Sequence, residues 1–292
     1  MAKKEIAAVD TPPNQLAPPI VGKAASFPFQ VSVACWIDLL GYGGMIAAAD
    51  FNPLHAKSRE ALKRLRDFHQ IVASHSARHF PTLVMNDGAV AYRDLSLRSS
   101  SVTYDFLIRS WKLFSEIKSF ESGRGHPGAR MVLACGFRMR GRRGGMDASA
   151  GQLRSILARL QEGQIDSEQA VREAASLRPV FDIIPQLQAN FAFTKAYVAE
   201  SSGSASGISG ANFYVDLAIF DQSKLDWITV GNTVNWSHAR LGLSADFAAV
   251  SDINQLGHGP VSPDGVLDGL QIAASLAGDP NVLQALRESK KP

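Results

Sequence analysis

The longest apolar stretch of the chain, residues 29–40 (FQVSVACWIDLL), is apolar at nearly every position. Such a run suits a central strand covered on both faces rather than one that alternates between core and water. Gly41, Gly43 and Gly44 then break it. Over residues 58–79 the period changes: Leu62, Leu65, Phe68, Ile71 and Val72 share a stripe with charged residues opposite, which predicts an amphipathic helix. Residues 80–84 and 89–92 read as a hairpin around Asn86-Asp87-Gly88, because that triplet tolerates the positive φ that tight hairpin turns need. A second amphipathic helix is predicted over residues 102–120, and a second buried strand over residues 130–137 (RMVLACGF).

The rhythm changes after that strand. Residues 150–178 predict two helices about Gly163, the second entered through Asp166-Ser167-Glu168, and read as a helical insertion at about 148–180. A strand over residues 181–187, a helix over 190–200 and a Gly/Ser loop over 201–210 follow. Residues 212–220 alternate as a strand, 227–234 and 239–250 read as further strands or a helix, and 267–276 and 282–286 are weakly helical. This order does not describe a doubly wound parallel sheet. It predicts an α+β sandwich, with helices on one face of a mostly antiparallel sheet. Residues 1–27 are rich in Pro, Ala and Lys and predict a flexible leader; the domain spans 28–255, and 256–292 form a tail.

Composition narrows the class. Of 292 residues, 46% are hydrophobic and 20% charged, enough apolar content for a sizeable core. Nothing approaches eighteen consecutive apolar residues and no apolar segment follows the charged start, so neither a membrane span nor a secretory leader is expected. A net charge of +3 is too small to call for a nucleic-acid partner. Cys35 and Cys135, each inside an apolar run, read as buried free thiols of a cytoplasmic protein.

Three groups of residues carry candidate chemistry. Asp38 interrupts an apolar strand, where a charge is costly unless paired or metal-bound. Asp87 sits at the apex of the next hairpin, so pairing of the two strands would bring two carboxylates together for a divalent cation. Read alone, Asp87 serves equally as a turn residue, and Asp38 as a cap or an ion-pair partner. Arg138, Arg140, Arg142 and Arg143, interleaved with glycines, form either a solvated strand end or a phosphate-contacting loop. His75 and His79 have a zinc-compatible spacing, but without a third ligand they read as helix surface. No P-loop, nucleophile elbow or dinucleotide fingerprint is present.

WIDLLGYG at residues 36–43 resembles the first-strand motif of class III nucleotidyl cyclases, Asp-Ile-x-Gly-Phe. LVMNDGAVAY at 83–92 is similar to their Gly-Asp hairpin, and RMVLACGFRMRG at 130–141 to the strand that follows. The resemblance covers roughly residues 29–220 and implies a cyclase-like, ferredoxin-like βαββαβ sandwich. It implies a head-to-tail homodimer that converts a nucleoside triphosphate to a 3′,5′-cyclic nucleotide and pyrophosphate. Asp38, Asp87 and the Leu39 carbonyl would then hold two Mg²⁺ or Mn²⁺ ions, and Gly41, Tyr42 and Gly43 would offer backbone N–H groups to phosphates, as Arg138 and Arg140 would offer guanidinium groups.

The chain departs from the family pattern on the late helix that should carry Asn-x-Ala-x-Arg. Lys195 stands for the Asn, as the candidate catalytic residue, and Val198 for the Arg. A second match at 234–240 has Asn235 and Arg240 one residue too far apart. No counterpart of a base-selecting Lys and Asp is legible. The accepted base stays open, and the resemblance admits a pyrimidine cyclase of an antiviral signalling system. The rival expectation is a catalytically silent cyclase-fold module that binds a nucleotide or a partner protein.

Overall fold

A computed structural model describes residues 29–139, 148–177, 184–254 and 262–288. The expected leader at 1–27 and residues 181–183 of the strand expected at 181–187 lie outside them; the rest of that stretch is not a strand, since Pro185–Leu187 forms a short 3₁₀ turn. The chain opens with β1 (Phe29–Leu39), the short α1 (Tyr42–Ala47) and α2 (Ala56–His75). The hairpin β2 (Thr82–Met85) and β3 (Gly88–Asp94), α3 (Ser101–Ser122) and β4 (Ala129–Met139) follow. These four strands lie in the order β2-β3-β1-β4, each antiparallel to its neighbour. Two split β-α-β units interleaved in this way are the ferredoxin-like βαββαβ arrangement, so the α+β expectation holds.

Beyond β4 come α4 (Ala148–Gln161), α5 (Ser167–Ser176) and α6 (Phe191–Ser202). Next are β5 (Phe213–Asp216), β6 (Ile228–His238), β7 (Leu243–Ile253), α7 (Gly269–Leu276) and α8 (Pro280–Glu288). β5 extends the sheet parallel to β4, and β7 and β6 complete seven strands in the order β2-β3-β1-β4-β5-β7-β6. α4 and α5 pack on each other around Ile156, Ile165 and Ala170, a small core of their own. As the Asp166-Ser167-Glu168 signal predicts, the Asp166 side chain caps α5 by accepting from the Gln169 amide at 2.7 Å.

Helices cover both faces of the sheet, which corrects the one-face expectation. Val33, Cys35 and Ile37 of β1 face the core that also holds Phe68 of α2, Phe106 of α3 and Ile272 of α7. The alternate residues Ala34 and Trp36 face a second core with Ala192, Ala196 and Ala199 of α6. The reason lies in β1 itself: a strand apolar at successive positions exposes one row of side chains unless both faces are covered. α6 fits closely because it presents alanines and meets Gly136 of β4, where a Cβ would fall 2.7 Å from the Ala192 nitrogen. The expected tail is also part of the core, through Ile272, Ala273 and Leu286. Among the described residues, no helix is long and apolar enough to cross a membrane.

Candidate functional site

The pairing of β1 with β3 puts Asp38 opposite Gly88, the residue after Asp87. One residue on, the Leu39 amide donates to the Asp87 carbonyl at 3.0 Å, tying the hairpin apex to the end of the central strand. Leu39 itself is buried. The hairpin is fixed from other sides as well. His69 of α2 hydrogen-bonds the Asn86 backbone carbonyl at 2.8 Å, and Asn86 Nδ2 donates to Asp87 Oδ1 at 2.8 Å. Asn86 has φ +57°, the left-handed conformation its place in the Asn-Asp-Gly turn predicts. Gly88 is required by packing: a Cβ there would meet the Trp36 ring at 2.3 Å.

The glycine turn after β1 is held by a buried ion pair that crosses from α2 to α3. Arg64 Nε donates to Glu121 Oε1 and Oε2 at 3.2 and 3.0 Å, and Arg64 Nη2 donates to the Leu40 carbonyl at 3.0 Å. Gly41, at φ +75°, precedes α1, and Tyr42 is buried while Gly43 is exposed. Burial pushes the Tyr42 phenol up, and the Asp87 charge pushes it the same way, while Arg64 pulls it down. Gly41 and Gly44 also line a cavity of about 390 Å³ with Lys57, Glu60, Arg64 and His126.

Asp38 stands out electrostatically. Its pKa is pushed up to about 7, first by burial, then by the Glu200 and Asp87 charges, against which Arg130 pulls down. Among the described residues its carboxylate has no hydrogen-bond partner. Arg130 and Glu200 are the residues sequence reasoning missed. Arg130, on β4, is the register partner of Asp38. Its Nε and Nη2 donate to Glu200 Oε1 at 2.9 and 2.6 Å, and Nη2 also reaches the Glu200 carbonyl at 3.1 Å, at the end of α6. The only signal for Arg130 was an arginine opening an otherwise apolar strand, and Glu200 gave none.

The donor set fits a hard divalent cation, since it offers two carboxylates, one of them, Asp38, without an internal hydrogen bond. Among the described residues, no group of three or more His, Cys, Asp or Glu side chains forms a metal-binding cluster. A cation here would therefore rest on Asp38 and Asp87 with backbone, water or substrate oxygens.

The other predicted residues are not brought to this point. Arg138 pairs in register with Gln30, eight residues along β1 from Asp38, or ~27 Å at about 3.4 Å per residue. There its guanidinium is bound to the Asp94 carboxylate and to the Met139 carbonyl, and it is not brought to the Asp38 end. The cause is the antiparallel run of β4, which carries its C-terminal end away from the C-terminal end of β1. Arg140 lies outside the described residues. Lys195, the expected catalytic residue, is buried with its Nζ 2.6 Å from Asp216 Oδ2, which also accepts from the Cys135 amide at 3.3 Å. It points into the α6–sheet contact because that stretch of α6 lies flat on β4. Asn235 and Arg240 fall on β6 and the turn beyond it rather than on a helix; Asn235 donates to Asp246 at 2.7 Å. His75 bonds Glu116 at 2.8 Å.

No family model matches the chain, and no curated protein matches it in sequence. Solved structures that resemble it include the guanylyl cyclase Cya2, at 12% identity and TM-score 0.41 over 78% of this chain and 95% of that one. A bacterial light-regulated adenylyl cyclase aligns at 10% identity and TM-score 0.43 over 89% and 98%. The guanylate cyclase domain of RhGC from Catenaria anguillulae, solved in complex with GTP, aligns at 9% and 0.40 over 77% and 97%. Likenesses this remote carry no chemistry across. The fold statement rests on the strand order, and the site on its own residues.

Proposed function

We propose that the Asp38–Asp87 end of the sheet binds two divalent cations, Mg²⁺ or Mn²⁺, with a nucleoside triphosphate, and that the protein is a divergent nucleotidyl cyclase. One observation carries the reading: Asp38, on the central strand beside the Asp87 hairpin, is a half-buried carboxylate with no internal hydrogen bond. The motif order and the place of both aspartates on strand β1 and the β2–β3 turn support it.

In this reading Asp38 and Asp87 hold the ions, with the Leu39 carbonyl as a further donor. When bound, the ions lower the proton affinity of the ribose 3′ hydroxyl and offset the triphosphate charge. The 3′ hydroxyl would give its proton to bulk water as its oxygen attacks the α-phosphorus; the bond from that phosphorus to the oxygen shared with the β-phosphate breaks, and pyrophosphate leaves. Arg130, in register with Asp38, would face the charge that develops on the phosphates once they displace its partner Glu200, a role in which a donor contributes on the order of 3 kcal/mol. The turn Gly41-Tyr42-Gly43 closes the site on the strand-end side. A head-to-tail homodimer belongs to the same reading, as the resemblance of the motifs implies.

The test is release of pyrophosphate from each of the four common nucleoside triphosphates with Mn²⁺. Turnover of at least one, lowered about a hundredfold in Asp38→Asn, is expected; no turnover by folded protein at high concentration overturns the reading. A second reading, a silent module that binds a nucleotide or a partner protein, draws on Lys195 being held by Asp216 and on Val198 standing where the family has Arg. Binding of Mn²⁺ and triphosphate without product would favour it.

A further inference from the structure

Arg130 does not face the Asp38 end as a free cation. Two of its nitrogens bind one oxygen of Glu200, and one of them also binds the Glu200 carbonyl. The side chains of Arg130 and Glu200 are only 13% and 6% exposed. α6 delivers this carboxylate from the other layer: Tyr197 packs edge-on to Trp36 at 5.2 Å, Phe193 lies 6.1 Å from the same ring, and Ala192, Ala196 and Ala199 sit on the sheet. The carbonyl that Arg130 also binds belongs to the last turn of α6, the negative end of its dipole. A carboxylate and a helix end together occupy the guanidinium much as a phosphate would.

We infer that Glu200 is an internal occupant of the anion position at Arg130 and sets how tightly this site takes any phosphate ligand. The inference rests on the function proposed above and adds to it a residue outside the cyclase motifs. An intramolecular competitor lowers the affinity of every anion that must displace it by one common factor. A polyphosphate, with several charges and paired oxygens, displaces it where a monophosphate at the same concentration does not. Glu200 therefore sets a threshold of affinity and leaves the ratio between ligands unchanged.

The experiment is calorimetric titration of the full chain with inorganic pyrophosphate and, separately, inorganic phosphate, each without metal and with Mn²⁺. Glu200→Gln keeps the size and a hydrogen-bonding oxygen but removes the charge. It should bind both anions about ten-fold more tightly than wild type, by the same factor for each. Arg130→Gln should lose the gain when combined with Glu200→Gln, and Glu173→Gln, in the distant Arg159–Glu173 pair, should leave both titrations as in wild type. Unchanged or weaker binding in Glu200→Gln overturns the inference, and so does tightening of one anion alone. Should Glu200→Gln not fold, hydrogen exchange of wild type decides: pyrophosphate should speed amide exchange over residues 198–202, and protection there would overturn the inference. The proposed function fails separately, through loss of any Mn²⁺ binding that depends on Asp38.

Discussion

Asp38 and Asp216 are the same residue type at the ends of two strands of one sheet, yet their surroundings are opposite. Asp216 closes β5 with 1% exposure. It accepts from Lys195 at 2.6 Å, from the Cys135 amide at 3.3 Å and, through Oδ1, from the Ala218 amide at 3.1 Å. Every part of its charge is answered inside the chain. Asp38, next to last in β1, keeps access to water and is surrounded by two further acids and one arginine that is already paired. A buried charge that the chain answers for itself belongs to the scaffold. One that it leaves unanswered must hold a proton or meet a counter-charge from outside the chain, and that contrast marks Asp38 as a candidate for function.

The largest effect that would break the comparison is expected at Asp216. Asp216→Ala leaves the Lys195 ammonium buried and unpaired and should cost about 3–5 kcal/mol in urea unfolding. Replacing both members, Asp216→Asn with Lys195→Met, should return most of that loss. A small effect of the single change would remove the distinction. Asp38→Asn should behave the other way. It should fold at least as well as wild type without metal, lose the upward shift in melting temperature that Mn²⁺ gives wild type, and lower any pyrophosphate release about a hundredfold.

A smaller effect is expected at the contact that seats the hairpin. Gly88→Ala drives a methyl group into the Trp36 ring and should cost about 1–3 kcal/mol, with a change in tryptophan emission. Full stability with unchanged emission would show the hairpin free to move and Asp87 loosely placed.

The smallest effect is in pH dependence. The Asp38 pKa lies near 7 in the fold, above the ordinary carboxylate value near 3.9 of the unfolded chain, so between them the folded state holds the extra proton. Metal-free stability should fall as pH rises from about 4 to about 7 and stay level above, by ~1 kcal/mol once solvent screening of this half-exposed group is allowed for. In Asp38→Asn that slope should vanish, while Mn²⁺ binding to wild type should strengthen as pH rises through 7. A parallel slope in the two proteins would assign the titration to another group.

Much of the first half was legible in the sequence because its signals are local. The stripe of Leu65, Phe68, Ile71 and Val72, the Asn-Asp-Gly turn and the continuous run in β1 each depend on neighbours a few residues apart. The second half was less so. Residues 227–250 left strand and helix undecided, and the long β6–β7 ribbon, joined through the Gly242 turn, resolved them by pairing partners that the apolar pattern does not name.

By itself the sequence determined the two aspartates as the polar exceptions in apolar elements, and it placed each at the end of its strand or turn. That follows from period and turn chemistry, which a chain carries locally. Only the tertiary structure decided which charges meet. Register put Arg130 beside Asp38 and sent Arg138 to the far end of β1; the docking of α6 gave Lys195 to Asp216 and Glu200 to Arg130; and Arg64, outwardly one more charge on an amphipathic helix, was taken into the core by Glu121. Coulombic and hydrogen-bonding partners act over a few ångströms but are drawn here from residues 21 to 92 positions apart, so their identity is a property of the packed layers.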